Sequence, residues 1–512
     1  MSNLTKWNRR GVIALMVMGA IGCGASAEQS DAGATGTGLT TVLGGDGGGG
    51  GTGSALTGGG TGGAGADPGG PVTIQPGCAD VFADGPPQTY SIEISDAEWQ
   101  AMDDEFHNVA ALESGQEFTV YHPIVFHYGD ETVSDAAIKL HGQSSWLLTV
   151  MFDANPKMQF SISFNQYNQS GKFHGLSKLI FDMPREDLIY MHDRLAHHWM
   201  RNVGIMAGCS TNARLNINGN YYGLYVLEEN VNGKLVQEFF PNNPDGDLWK
   251  GGEIPETNQS TPNWDRLTAF KQAKDLASIS QIVDIQGSLT AWAAEALLYD
   301  GDGYYGGFHN FYIYDQGPAG FLFLPQDTDS TFDWLVQFDL VGSTGHPIYW
   351  WYKRAQPAPT PGDKWLPVLS DPNWRVKYAD AIAALLAQWD VQQLQGWVDT
   401  WWSQIQSSAL SDPHQWTTPD IINGSPAIAK QEIAARASYL QSFVDCEHGV
   451  AGAATDSDAD GFNWCDECDD SNPNAHPGAQ EVCGNMLDDN CDGVVDEGCS
   501  SSSSPDSSMG GP

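Results

Sequence analysis

The sequence predicts an α+β fold in which a mixed or antiparallel sheet comes first and helices follow. Runs with the apolar alternation of strands recur early, beginning at residues 89–94. Residues 214–229 indicate a β-hairpin, because two strand-like runs flank the dipeptide Asn218-Gly219. Beyond residue 372 the pattern changes to helical spacing rich in tryptophan. Strands and helices that are separated along the chain are typical of α+β domains.

Each further strand is predicted from the same alternation and from bounding turn residues. These strands cover residues 118–128, 136–141, 158–164, 311–314 and 321–324.

Helices are predicted from apolar spacing and capping residues. Ser95, with Glu98 at the third position, opens the first, and residues 188–202 form another that Gly204 closes. Three more cover residues 373–388, 391–410 and 426–444, the last opened by Ser425 and Pro426. Trp397, Trp401 and Trp402 are interpreted as helix-packing residues rather than as a carbohydrate site, since their spacing places them near one face.

The N-terminus has the pattern of a lipoprotein signal. Basic residues precede a short apolar run at 12–21, and Gly22 comes before Cys23. Residues 1–23 are therefore predicted to be a signal peptide with Cys23 lipidated, because the run is short for a transmembrane helix. Gly24 after the cysteine favours the outer membrane, so we expect an exported bacterial lipoprotein at the outer membrane or cell surface.

Composition predicts two disordered segments and excludes one class of partner. Residues 24–76 are rich in Gly, Thr and Ser and read as a flexible linker, and residues 500–512 as a Ser-rich tail. The formal net charge of -41, with only 23 Lys and Arg in 512 residues, argues against nucleic acid. The region 77–446 remains as the main domain, followed by an Asp- and Cys-rich segment at 447–499. The oligomeric state is not predicted.

Eight cysteines besides Cys23 are available for disulfides in an exported chain. Cys78 and Cys446 flank the main domain, so one interpretation is that they tie its ends together. The spacing does not determine the pairing.

Residues 297–334 contain most of the candidate catalytic and metal-binding residues. A helical run ends in the loop 300–303, and two strands then deliver an amide and carboxylates beside a hairpin: Asp302, Asn310, Asp327 and Asp329. Oxygen ligands for a divalent cation, with a carboxylate to accept a hydroxyl proton, are what phosphoryl transfer needs. Ordinary Asp- and Gly-rich turns are the alternative interpretation.

Other polar residues have a functional and an ordinary interpretation. Lys157 begins a strand and is either directed into a cleft or simply exposed. Glu228 or Glu229 ends the predicted hairpin and is placed to orient a lysine. His192, His197 and His198 lack the spacing of a zinc motif, since no two are four residues apart, and are interpreted as surface or core histidines.

Taken in order, residues 90–446 resemble the CotH family of secreted, atypical protein kinases. The RGxSS turn of that family corresponds to HGQSS at 141–145, its PKK-aromatic strand to PKMQF at 156–160, and its YxGLYxLxE hairpin to YYGLYVLE at 221–228. The NxD loop, the Asn-aromatic strand and the PWDxDxTFG segment correspond to DGD at 300–302, HNFY at 309–312 and PQDTDSTF at 325–332.

The resemblance implies a kinase-like fold and transfer of the ATP γ-phosphate to Ser or Thr of exported proteins. It implies that Lys157 holds the nucleotide phosphates, that Glu228 orients Lys157 and that Asp302 is the base. Asn310, Asp327 and Asp329 would hold Mg²⁺ or Mn²⁺. Several family residues are replaced, including basic ones by His141, Met158 and Ser161. A non-catalytic surface or envelope-assembly lipoprotein that binds calcium is therefore the alternative.

The segment 447–499 has the composition of a metal-stabilised repeat. Asp456, Asp458 and Asp460 alternate before Gly461, as calcium loops require, but cysteines at 465 and 468 interrupt the helix expected around Glu467. The segment resembles the Cys-containing MopE-like metal-binding repeat of bacterial surface proteins. We expect disulfides with Ca²⁺, on ligands that include Asp488 and Asp492, rather than zinc on Cys465 and Cys468.

Overall fold

The computed structural model describes residues 74–110, 118–142, 144–182, 187–301, 303–304, 310–332, 346–348, 364–485, 487–492, 496 and 498–499. The predicted signal with Cys23, nearly all of the predicted linker, Asp302 and the Ser-rich tail lie outside these residues. None of the helices in the described part of the chain is long and apolar enough to cross a membrane.

Seven strands form a closed barrel in the order β1-β2-β3-β4-β5-β7-β6. Neighbouring strands are antiparallel, except that β1 and β6 close the barrel in parallel. The strands are β1 Gln88–Glu93, β2 His122–Tyr128, β3 Glu131–Leu140, β4 Phe160–Ser163, β5 Lys178–Asp182, β6 Ser210–Ile217 and β7 Asn220–Glu229. The α+β prediction is confirmed, and the closure of the first sheet is an addition to it.

The predicted hairpin joins β6 to β7. Asn218 and Gly219 have φ of +49° and +81°, the left-handed values that a two-residue turn of this type requires at both positions. The turn brings Ile217 opposite Asn220, which fixes the register of both strands.

A second, four-stranded sheet has the order β11-β10-β8-β9. Its strands are β8 Leu248–Lys250, β9 Ile254–Pro255, β10 Phe311–Asp315 and β11 Phe321–Pro325. The predicted hairpin of residues 311–324 is thus the β10-β11 pair, which pairs Phe311 with Pro325.

Helices lie between the strands as well as after them, so the predicted order of sheet and then helices holds only for the C-terminal part. They are α1 Asp96–Phe106, α2 Ser144–Phe152, α3 His192–Asn202, α4 Gly233–Phe239, α5 Trp264–Gln272, α6 Leu276–Ile282, α7 Ile285–Leu298, α8 Trp365–Leu369, α9 Pro372–Leu386, α10 Val391–Leu410 and α11 Pro419–Glu447. The buried helix α7 packs against β11 on one side and α9 on another. Trp401 is buried and stacks on Trp397, as expected for helix packing.

The start of α11 differs from the prediction. Thr418 is the N-cap and Pro419 the first helical residue, so Pro426 lies inside the helix. The Ser425 hydroxyl donates to Ile421 O within the helix instead of capping it. Two Thr/Ser-Pro pairs compete as start signals, and burial of Ile422 and Ala429 on both sides of Pro426 favours the earlier one.

Four disulfides join Cys78 to Cys209, Cys446 to Cys465, Cys468 to Cys491 and Cys483 to Cys499. The interpretation that Cys78 pairs with Cys446 is therefore wrong. Cys78 and Cys209 precede β1 and β6, and these strands run parallel side by side, so the chain enters both from the same end of the barrel. Disulfides rather than a zinc site on Cys465 and Cys468 are confirmed.

Candidate active site

Three chain segments meet where the second sheet joins α7. Gly301 N donates to Ser330 O at 3.0 Å, and Phe332 N donates to Leu298 O at 3.1 Å. Gln326 N donates to Asn310 O at 3.0 Å. The loop after α7, the start of β10 and the residues after β11 are thus held together, as the sequence predicts for residues 297–334.

Two predicted metal ligands have unusual backbone conformations there. Asn310 has φ of +44° and Asp327 has φ of +58°, and both values lie in the left-handed region. Asn and Asp tolerate this region better than most residues, and strained backbone of this kind clusters at functional sites.

Asp327 lies close to two other carboxylates, and their charges affect one another. Burial and the nearby charge of Asp327 together raise the pKa of Asp193 to about 7, although hydrogen bonds from Thr328 oppose the shift. Burial likewise raises the pKa of Glu228 well above its ordinary value, with contributions from Asp193, Asp182 and Asp327. The causes in both cases are burial and, after it, the charges of neighbouring carboxylates.

Asp193 and Glu228 meet His197 at this point. One ligand atom from each of the three lies within 4.8 Å of the other two. His197 Nδ1 and Glu228 Oε1 are 3.9 Å apart. Burial lowers the pKa of His197 to about 3, so its imidazole is neutral at pH 7 and has a nitrogen lone pair for a metal.

One atom of each member of this trio has no hydrogen-bond partner in the part of the chain that the structure describes. Asp193 Oδ2, His197 Nδ1 and Glu228 Oε1 are buried, and no hydrogen-bond partner for them occurs among the described residues. Buried polar atoms are normally satisfied, and a cation is one way to satisfy three at once. The set of two carboxylates and an imidazole therefore fits a divalent metal.

The other oxygen of Asp193 is firmly held. Thr328 donates to Asp193 Oδ1 from its backbone N at 2.9 Å and from its hydroxyl at 2.8 Å. Because Thr328 follows Asp327 directly, these bonds attach the segment after β11 to helix α3. Asp329 is linked to the same helix, since His192 Nδ1 lies 2.7 Å from Asp329 O.

Lys157 lies in a different environment from the one predicted. Its ammonium donates to Asp412 Oδ2 at 2.6 Å and to Leu224 O at 2.5 Å, and it does not pair with Glu228. Glu228 instead faces Asp193 and His197. Both members of the Lys157–Asp412 pair are buried, and Gly223 makes room for them, because a Cβ there would lie 2.8 Å from Lys157 Cε.

The structure thus brings Glu228 and Asp327 to one region, with Asn310 and Asp329 in adjoining segments, and leaves Lys157 apart from them. The predicted base Asp302 lies outside the described residues. Asp193 was not predicted, and His197 was interpreted from the sequence as a surface or core histidine because only the spacing between histidines was considered. An Asp and a His four residues apart share a helix face, and this spacing was the available signal.

The predicted tail ligands fall into two parts. Asp456, Asp458 and Asp460 have carboxylate oxygens within 4.8 Å of one another. Asp488 Oδ1 accepts from Asp492 N at 3.0 Å. Within the described part of the chain, neither Asp488 nor Asp492 belongs to a group of closely spaced ligands.

Two models of protein families match parts of the chain. The family model "CotH kinase protein" matches residues 138–448, more than half of the chain. The model Cu-binding MopE, described as "Putative metal-binding motif", matches residues 467–497. No curated protein matches the chain significantly. The first match covers the barrel from the end of β3 onward, the second sheet and the helices around the candidate site. Because it spans more than half of the chain, the chain belongs to the CotH kinase protein family.

Proposed function

We propose that the chain is an exported, surface-anchored kinase that transfers the γ-phosphate of ATP to Ser or Thr of exported proteins with the help of a divalent metal. Membership of the CotH family supports the reaction class. The observation that carries the proposal is the trio of Asp193, His197 and Glu228, which lies near Asp327. One buried atom of each trio member, Asp193 Oδ2, His197 Nδ1 and Glu228 Oε1, has no hydrogen-bond partner among the described residues.

The carboxylates of this region have the charge and ligand chemistry for the metal, and one of them, Asp193, is buried. Asp193, Glu228 and Asp327 would hold Mg²⁺ or Mn²⁺, with His197 more suited to Mn²⁺ than to Mg²⁺. The ion supplies the positive charge that phosphate oxygens require during transfer. In this proposal Asp302 accepts the proton of the substrate hydroxyl, and Asn310 and Asp329 complete the metal environment.

Lys157 needs a separate account, because its ammonium is already neutralised by Asp412. A phosphate oxygen would have to displace a carboxylate that accepts at 2.6 Å. We therefore assign phosphate binding mainly to the metal region, and assign to Lys157 the task of fixing the β6-β7 hairpin against the chain that follows α10.

The test is transfer of labelled phosphate from ATP by the purified chain, with Mg²⁺ or Mn²⁺, to itself and to surface-protein extract. Asp302→Ala and Asp327→Ala are expected to lose nearly all transfer, since they remove the base and a metal ligand. Loss of one transition-state interaction commonly costs about 10²–10³ in rate.

Glu228→Gln and Glu229→Gln form a matched pair for the same assay. Adjacent residues of a strand face opposite sides, and Glu229 lies 3.6 Å from Lys234 on the side away from the trio. We expect loss of transfer in the first variant and retention in the second. Transfer that is absent from the wild type with every metal, or that survives Asp327→Ala, would contradict the proposal.

A non-catalytic surface or envelope-assembly protein is the second candidate, and the Lys157–Asp412 pair is what favours it. In such a protein the ammonium of Lys157 pairs with Asp412 for stability and does not bind ATP phosphates. Thermal unfolding with ATP and Mn²⁺ separates the candidates. A kinase is expected to unfold at a higher temperature with both ligands than with Mn²⁺ alone, whereas a protein that does not bind nucleotide shows no difference.

A further inference from the structure

The segment before the matched metal-binding motif has the spacing of a calcium loop. Asp456, Asp458 and Asp460 occupy positions 1, 3 and 5, Gly461 position 6 and Glu467 position 12 of a twelve-residue loop. Gly461 has φ of +102°, as the sharp turn at position 6 requires. The family match begins only at residue 467, so the first eleven positions lie outside it.

Backbone amides already hold the loop in a turn. Gly461 N donates to Asp456 Oδ2 at 3.0 Å, and Phe462 N donates to Asp460 Oδ1 at 2.8 Å. These bonds use some lone pairs of each carboxylate and leave others for a ligand, because an ionised carboxylate has about four acceptor sites. One carboxylate oxygen each of Asp456, Asp458 and Asp460 lies within 4.8 Å of the other two.

Glu467 is the observation that points to a ligand. Its side chain is buried, with only 1% of the residue exposed, and no donor among the described residues reaches either carboxylate oxygen. Its oxygens lie within 4.8 Å of those of Asp458 and Asp470. One oxygen each of Asp458 and Asp460 is also buried and unpartnered within the described residues.

A buried carboxylate that faces other carboxylates without a donor is unfavourable in its charged form. A cation at the centre of the group removes both the desolvation cost and the repulsion.

The cysteines hold Glu467 in the position that a helix would otherwise provide. Cys465 is bonded to Cys446 at the end of α11, and Cys468 to Cys491, so disulfides fix the chain on both sides of Glu467. The interruption of the expected helix by cysteines therefore does not remove the twelfth ligand. The same bonds consume the thiols, which leaves oxygen ligands and favours Ca²⁺ over copper or zinc.

We propose that residues 456–467 form a calcium-binding loop closed by disulfides, with carboxylate ligands from Asp456, Asp458, Asp460 and Glu467. Asp470 lies beside the site and fixes the start of the loop, since its carboxylate accepts from Ser457 N and Ser457 Oγ at 2.7 Å. This site is independent of the proposed kinase activity, because it shares no residue with the trio on α3 and β7.

The test uses the whole purified chain with the Asp193→Asn substitution, so that binding at the candidate active site is weakened. After removal of metal with chelator, Ca²⁺ is titrated by calorimetry, and Tb³⁺ by luminescence excited through tryptophan. Trp464 lies within the loop, so Trp464→Phe is expected to abolish most of the sensitised Tb³⁺ emission while leaving Ca²⁺ affinity nearly unchanged.

Glu467→Gln and Asp458→Asn are expected to weaken Ca²⁺ binding by about tenfold or more, since each removes a ligand charge. Glu93→Gln, an exposed carboxylate of β1, is the matched control and is expected to have no effect. Correct disulfide pairing, checked by peptide mapping, shows that each variant is folded. Absence of saturable Ca²⁺ binding, equal affinity in Glu467→Gln, or preferential binding of Cu²⁺ to the same site would overturn the proposal.

Discussion

Lys157 and Asp412 illustrate how one residue can acquire a role that its neighbours in sequence do not predict. The two side chains are separated by 255 positions and form a buried ion pair. Asp412 Oδ2 also accepts a hydrogen bond from Leu224 N. Burial lowers the pKa of Lys157, and the charge of Asp412 opposes that shift. The charged form of Lys157 is therefore favourable in this buried position only when Asp412 supplies the opposite charge.

Asp412→Asn is expected to lower the free energy of unfolding by about 3–5 kcal/mol, because it leaves an ammonium buried without its counter-charge. Urea unfolding monitored by circular dichroism measures the change. The double variant Lys157→Met/Asp412→Leu is expected to lose much less than the single variant, since neither charge remains. If Asp412→Asn were as stable as the wild type, the ion pair would contribute little to stability. Lys157 would then again be a candidate for binding phosphate.

At the scale of elements, one arginine connects two helices and the tail. Arg375 on α9 pairs with Glu447 at the end of α11, with 3.0 Å between Nε and Oε1, and also with Asp466. Burial raises the pKa of Glu447 to about 7, although Arg375 opposes the shift, and Asp466 adds to it.

The consequence for stability follows from proton linkage. The folded state holds the Glu447 proton more tightly than the unfolded state does, so the contribution of this group is largest below about pH 4.5 and is lost as the pH rises to about 7. Comparing the wild type with Glu447→Gln by guanidinium unfolding should show a stability advantage of the wild type that shrinks between about pH 5 and about pH 7 and is constant above that range. An advantage that grows with pH would mean that the Arg375 pairing outweighs burial.

At the scale of the whole molecule, the chain combines two proposed divalent sites that share no ligand. A ligand that binds only the folded state stabilises it by about 2.7 kcal/mol at a hundredfold excess over Kd. We expect Mn²⁺ and Ca²⁺ each to raise the unfolding temperature and their effects to be separable. Asp193→Asn should remove most of the Mn²⁺ effect and Glu467→Gln most of the Ca²⁺ effect.

The double variant is the control for independence. It is expected to lose both effects in amounts that add, as for sites without shared partners. If either single substitution removed the response to both ions, the two regions would act as one site, and the separation of kinase and calcium functions would be wrong.

Local sequence determined the elements that depend on neighbouring residues. The hairpin turn at Asn218-Gly219, the N-cap at Ser95 and helix α10 at Val391–Leu410 follow from backbone preference, capping and periodicity within a few residues. The motif order was also enough to identify the CotH family. These patterns depend on residues close together in the chain, so they can be recognised in the sequence without knowledge of the fold.

Tertiary structure alone decided which distant residues meet. The parallel pairing of β1 with β6 closed the barrel and brought Cys78 to Cys209 rather than to Cys446. The segment after β11 packs on α3, and this contact places Asp193 and His197 in the candidate site. Asp412 lies beside Gly223 and pairs with Lys157, so Lys157 lies outside that site. In the tail, the disulfides of Cys465 and Cys468 hold the chain on both sides of Glu467, whose carboxylate is buried and lies close to that of Asp458. Each of these contacts spans a distance in sequence over which periodicity and local preference carry no information, so only the folded chain determines them.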